Sequence, residues 1–172
     1  MKAKSIHGST TEEIRSALNQ CMHDGFEPTL AFLFISIKQD RQAVCTIFQE
    51  QGIDIFGATS CGEFTDGYQS DGGIAVLLLD IKREAYSIIF EDIGNRTIKE
   101  ASAHLAKTSL QKFSNPSLIL CSTGVTPSSD VFDGMALVHE LSEAIGREKV
   151  FFGGMAGDDM TLSGTSVFTQ DR

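Results

Sequence analysis

No stretch of this chain is rich in lysine and arginine, and 14 basic side chains face 23 acids, for a formal charge of -9 and a pI near 4.8. A nucleic acid or an anionic membrane surface would meet net repulsion, so neither is an expected partner. Long apolar runs are also missing. Stretches such as Gly73–Leu79 fall far short of the ~20 apolar residues a membrane-spanning helix needs. The start, Met1-Lys2-Ala3-Lys4-Ser5-Ile6, has neither the apolar core nor the small-residue cleavage site of a secretory leader, so a cytoplasmic address is expected. The four cysteines, Cys21, Cys45, Cys61 and Cys121, form no Cys-x-x-Cys pair. That excludes a dense zinc cluster or disulfide framework and favours reduced thiols.

Catalytic signatures are absent too. The segment Phe56–Glu63 lacks the lysine and hydroxyl of a phosphate-cradling loop, and no Gly-x-Gly-x-x-Gly run marks a dinucleotide site. Gly57-Ala58-Thr59-Ser60-Cys61-Gly62 sets a serine among glycines without the Gly-x-Ser-x-Gly elbow. His7, His23, His104 and His139 are scattered, with no His-x-x-x-His pair, so neither a metal nor another cofactor is expected. Cys61, beside turn amides, is the one candidate for thiol chemistry, and the commoner role for such a residue is a small packed apolar group. The chain is therefore read as a binding domain, with a cysteine-dependent enzyme and a protein-interaction module as the alternatives.

What the sequence does contain is an alternation of apolar runs with helical periods, the pattern of an α/β domain. A helix is predicted over Thr11–His23, with Ile14, Ala17, Leu18, Cys21 and Met22 on one face, Thr10 and Glu13 at capping-box spacing, and Gly25 as its stop. Leu30–Ile35 does not alternate with polar residues and predicts a central strand buried on both faces. A helix over Arg41–Gln51, stopped by Gly52, then leads to a short strand Ile53–Phe56, completing a β-α-β unit. An ordered turn over 57–73 precedes the strand Ile74–Leu79, and a hairpin through Asp80–Arg83 to a strand Ala85–Phe90 would make the sheet mixed. Further on, Thr97 and Glu100 open a third helix that presents Ile98, Ala101, Leu105 and Leu110 inward. The strand Ser117–Cys121 follows, then a fourth helix capped by Asp130, with Gly134, Leu137, Val138, Leu141 and Ile145 along its face and Gly146 at its end. Val150-Phe151-Phe152, a glycine turn at 153–157 and a strand Thr165–Thr169 close the reading.

The second half echoes the first. Phe56-Gly57-Ala58-Thr59-Ser60-Cys61-Gly62-Glu63-Phe64 resembles Phe152-Gly153-Gly154-Met155-Ala156-Gly157-Asp158-Asp159-Met160, and each follows helix, strand, helix and strand in the same order. The expected architecture is a mixed-sheet α/β domain with an internal duplication, approximate repeats 1–80 and 85–172, and several helices packed on the sheet. Two strand-exit turns of this kind bring backbone amides and short polar side chains to one place. The candidate ligand contacts are Thr59, Ser60, Cys61, Glu63, Asp158 and Asp159, with Thr123 on the longer rim loop Ser122–Ser129. Gly57, Gly62, Gly153, Gly154 and Gly157 are the structural glycines of the turns. Carboxylates beside turn amides suit a cationic or zwitterionic small molecule. Phe56, Phe64, Phe132 and Phe152 are candidate walls, Phe56 and Phe152 being better suited to the core.

Those two glycine-acid turns, in this order and with these elements between them, resemble the N-terminal domain of the FIST family over nearly the whole chain. The resemblance implies an intracellular sensory input domain that binds small ligands such as amino acids and relays occupancy to a signalling domain or protein. It also implies a C-terminal FIST portion as partner, so that this chain is expected to be part of a longer protein. It supplies no catalytic residues.

Overall fold

The computed structural model, which describes residues 1–172, builds its main layer from five strands. Chain order runs β1 (Lys2–Gly8), α1 (Thr11–Met22), β2 (Leu30–Ser36), α2 (Arg41–Glu50), β3 (Asp54–Ser60), β4 (Glu63–Thr65), β5 (Tyr68–Ser70), β6 (Ile74–Asp80), α3 (Ile98–Lys112), β7 (Leu118–Ser122), α4 (Gly134–Ile145), β8 (Phe151–Met155) and β9 (Val167–Phe168). The main sheet has the order β1-β6-β2-β3-β9, and within it only β2 and β3 run parallel. The fold is therefore the mixed α/β sheet that the sequence predicts. Its antiparallel character has a different source, because β6 inserts between β1 and β2 while Tyr86–Phe90 forms no strand. Arg83–Ala85 instead makes a single 3-10 turn, and the one hydroxyl proton of Tyr86 is shared between Thr29 O at 2.9 Å and Asp54 Oδ2 at 2.6 Å. A side-chain anchor replaces the predicted hairpin ladder.

Local signals set the helices. Thr10 Oγ1 accepts from Glu13 N at 3.2 Å, while Glu13 returns its carboxylate to Ser9 N at 2.6 Å. Asp40 caps α2, and Thr97 with Glu100 forms a full capping box on α3. The cap of α4 is Asp133, which accepts from Ala136 N at 2.9 Å, and not Asp130, whose carboxylate is taken by Ser128 Oγ. That cap starts α4 three residues later than an Asp130 cap would.

Helices α1 and α2 cover one face of the sheet, where Ile14, Leu18, Ile47 and Phe48 pack against Leu33, Ile55 and Val76. Burial of such side chains is the main stabilising term, each contributing about 1.5–3 kcal/mol. The opposite face carries Phe32, Phe34, Phe56 and Leu77, and it is not covered in the same way. Phe34 is 40% exposed and Leu77 41%, so β2 is central but not buried on both sides. The apolar run predicted two covered faces because residue type alone does not say what lies above a sheet. Accordingly the chain exposes 9787 Å², against about 8,000 Å² for a compact monomer of its mass.

Strands β4 and β5 form a small hairpin against the main sheet, and a second, smaller unit has α3 and α4 packed together with the parallel pair β7–β8 beside them around Ala106, Leu141 and Ile145. The buried face of α3 is Ala101, Ser102, Ala106 and Ser109, while Leu110 is 43% exposed. Small residues on that face let the helices approach closely; of the predicted inward residues Ala101 is buried, Leu105 packs against the small core and Ile98 is half-buried, and only Leu110 turns outward. Val138 on α4 also turns outward, at 44% exposure. Strand limits shift at both glycine segments: β3 runs on to Ser60, and Gly153 and Gly154 lie within β8. The second turn thus begins only at Ala156. The predicted last strand shortens to Val167–Phe168.

Candidate functional site

The carboxyl ends of β3 and β8 meet. Gly157 donates its N–H to Thr59 O at 2.8 Å, and Ala156 N donates to Ser122 O at 2.8 Å. A Cβ on Gly157 would sit 2.9 Å from Cys61 N and against its Sγ, so only glycine permits this approach. Thr165, which the sequence does not single out, ties in the rim loop. Its Oγ1 accepts from Gly124 N at 2.8 Å and Val125 N at 3.0 Å and bonds Thr123 Oγ1 at 2.7 Å. The structure thereby places Thr59, Cys61, Gly157 and the Thr123 loop at one joint, outside the ends of parallel strands where α/β sheets hold ligands.

Each predicted acid has internal partners. Glu63 is 1% exposed, and its carboxylate accepts from Ser60 Oγ at 2.6 Å, Gly73 N at 2.7 Å and Ser70 Oγ at 3.4 Å. It pins the β4–β5 hairpin to the main sheet. Asp159 accepts from Ser36 Oγ at 2.7 Å and pairs with Lys38 Nζ at 3.2 Å, which joins the second turn to the end of β2. Asp158 organises the loop that follows, through Gly164 N and Thr161 Oγ1, each at 3.1 Å. In that loop the non-glycine residues Asp159, Met160 and Leu162 have φ of 53°, 62° and 53°, a left-handed conformation that costs about 1–3 kcal/mol per residue.

The bond from Gly164 N–H holds the Asp158 carboxyl below its ordinary value of 3.8, against the opposing pull of burial and with help from Thr161. A carboxylate lowered in the folded state contributes stability above the unfolded pKa and loses it as pH falls through the folded one. Amide exchange at Gly164 is therefore expected to stay slow from neutral pH to about pH 5 and to gain protection-losing openings below about pH 4. Asp158→Asn should abolish that acid-dependent component; an unchanged acid profile in the variant would remove Asp158 from this role.

Other predicted residues serve the fold. Thr59 is a ladder residue whose Oγ1 accepts from Ser166 N at 3.0 Å. Gly57 lies opposite Phe168, and a Cβ there would be 2.6 Å from ring atoms of that phenylalanine. Gly62, at φ 110°, makes the turn into β4. Gly153 packs on the backbone of Leu120, and Gly154 faces open space. Among the candidate walls Phe132 is buried, Phe56 pairs with Phe32 at 5.3 Å, and Phe152 is 61% exposed and outside the core. Cys61 is exposed and free. Burial pushes the Cys45 and Cys121 thiols up to about 11.

Beside the joint lies a concavity of about 280 Å³. Its floor is Ser5, Phe34, Ala75 and Leu77 of the uncovered sheet face, its wall is Phe64 and Thr65, and Ser60, Gly62 and Glu63 close one end. The hairpin wall is held at its tip by His7, whose ring stacks on Tyr68 at 3.8 Å and whose Nδ1 bonds Thr65 Oγ1 at 3.1 Å. Sequence reasoning finds the polar end of this concavity and misses its floor, because Ser5, Phe34 and Leu77 come together only through β1–β6–β2 pairing.

An apolar hollow with a few convergent polar groups thus lies against a glycine-built joint at strand ends, in a domain of the mixed α/β class. The FIST N domain family matches residues 29–172, and the chain belongs to that family. FIST domains are sensory domains of signal transduction. The match begins at Thr29, yet β1 and α1 before it complete the sheet edge and cover the core. No curated protein and no solved structure matches the chain. No helix is long and apolar enough to cross a membrane.

Proposed function

We propose that this domain senses a small amine-bearing ligand, an amino acid or related amine, bound reversibly in the concavity between the β4–β5 hairpin and the open sheet face. The observation that carries this reading is the buried Glu63 at the polar end of an otherwise apolar hollow. A carboxylate has about four lone-pair directions and Glu63 uses three, so an ammonium group has one left to address while the ligand's apolar part lies over Phe34 and Leu77.

Sensing requires two states of different affinity, not occupancy alone. The joint supports such a relay, since Ser60 binds Glu63 on one side and is followed by Cys61 against Gly157, and the strained Asp158–Gly164 loop adjoins it. Two parallel β-α-β units, β2-α2-β3 and β7-α4-β8, with their exits in contact, support a duplicated domain whose halves move against each other. In this reading the response passes to a C-terminal FIST portion or a signalling partner.

Thermal unfolding against panels of amino acids, amines, nucleotides and divalent ions tests the proposal. Ligand at one hundred times its Kd contributes about 2.7 kcal/mol to stability, a shift of several degrees. A saturable shift confined to amines and amino acids is the expected result, and a cooperative transition that no member of that class moves would sink it.

A further inference from the structure

Four of the six arginines, Arg15, Arg83, Arg96 and Arg147, make ion pairs with carboxylates. The other two, Arg41 and Arg172, pair with none, and both line the same cavity of about 190 Å³ between α2 and the 168–172 segment. In a chain of charge -9 this is where unneutralised guanidinium groups collect. Arg41 lies over the Phe168 ring at 5.1 Å, and its charge is felt by the Cys45 thiol on the same helix face. The aromatic contact holds the group in place without using its hydrogen-bond donors.

Gln170 adds a directed donor. Its Oε1 accepts from Ile55 N at 3.1 Å, and its backbone O accepts from Gln49 Nε2 at 2.6 Å, so both ends of the residue are fixed and the amide NH₂ remains free. Gln42 lines the same space. Among the lining side chains only Asp171 is acidic, so two guanidinium groups face one side-chain carboxylate.

We propose that this cavity binds a small oxyanion, a phosphate or carboxylate group, at a second site separate from the Glu63 hollow. Arg41 supplies the main charged contact and Gln170 orients the group. The volume exceeds the ~30 Å³ share of a single water several-fold, enough for one such group with solvent. Bound there, the anion would bridge α2 to the segment that follows β9 and fasten the outer edge of the main sheet.

Calorimetric titration of the full chain with inorganic phosphate and, separately, acetate tests the site, with sodium chloride at matched ionic strength as control. Phosphate or acetate should bind saturably where chloride does not, and the stronger of the two identifies the source of the oxyanion. Arg41→Gln should weaken binding about tenfold or more, as expected for loss of a charge-assisted hydrogen bond. Asp171→Asn should tighten it, an outcome that loss of folding cannot mimic. Equal affinity in the wild type and Arg41→Gln, or heats no different from chloride, would overturn the proposal.

Discussion

Replacing Phe168 by alanine is expected to cost about 3–5 kcal/mol, the usual penalty for emptying a large aromatic site in a core. The residue is 3% exposed and belongs to the main core, although its strand β9 contains only two residues. Its ring fits because Gly57 opposite has no Cβ. Gly57→Val should therefore force the ring out and cost a comparable amount. In the double variant the valine occupies space the ring has left, so the two losses should fall short of additive by at least about 1 kcal/mol, within the range seen for residues in contact. Urea denaturation of the four proteins measures this. Strict additivity would mean that Phe168 and Gly57 stabilise the sheet independently.

The second large effect is at Glu63. Glu63→Ala removes the acceptor of the buried Gly73 N–H and of the Ser60 hydroxyl, and leaving such donors unsatisfied costs about 1–3 kcal/mol each. A total loss of about 2–4 kcal/mol is expected, together with faster amide exchange across 63–70 as the hairpin loosens. Glu63→Gln keeps the shape and one acceptor, so it should fold with roughly half that loss. It no longer offers a charge to an ammonium group. Its amine-dependent thermal shift should vanish while its cooperative unfolding persists, which separates a ligand role from a purely structural one. Retention of the full shift in Glu63→Gln would move the ligand away from this carboxylate.

These effects fall where local sequence signals give way to tertiary pairing. The helix starts at Thr10 and Thr97 and the stops at Gly25, Gly52 and Gly146 are readable because a cap bonds a backbone group two or three residues away, and a positive φ at glycine depends on one residue. The parallel unit β2-α2-β3 is readable for a related reason, since apolar run, amphipathic helix and apolar run follow one another without interruption. The two glycine-acid turns are likewise in the sequence, and with them the polar end of the candidate site.

What fills the rest of the site is decided elsewhere. β1 has no apolar run to announce it, with Ile6 and Gly8 its only buried residues, and it becomes a strand because β6 offers seven consecutive partners. Tyr86–Phe90 has a strand-like composition and remains unpaired, because no neighbouring edge meets it. The acids show the same division. Their clustering near glycine turns is written in the chain, but Asp159 is neutralised by Lys38 and bonded to Ser36 across 123 residues, and no local rule specifies that pairing. Hydrogen bonds between neighbours in sequence carry little closure entropy and so leave local signatures, whereas sheet order and the covering of a face depend on which distant surfaces complement one another.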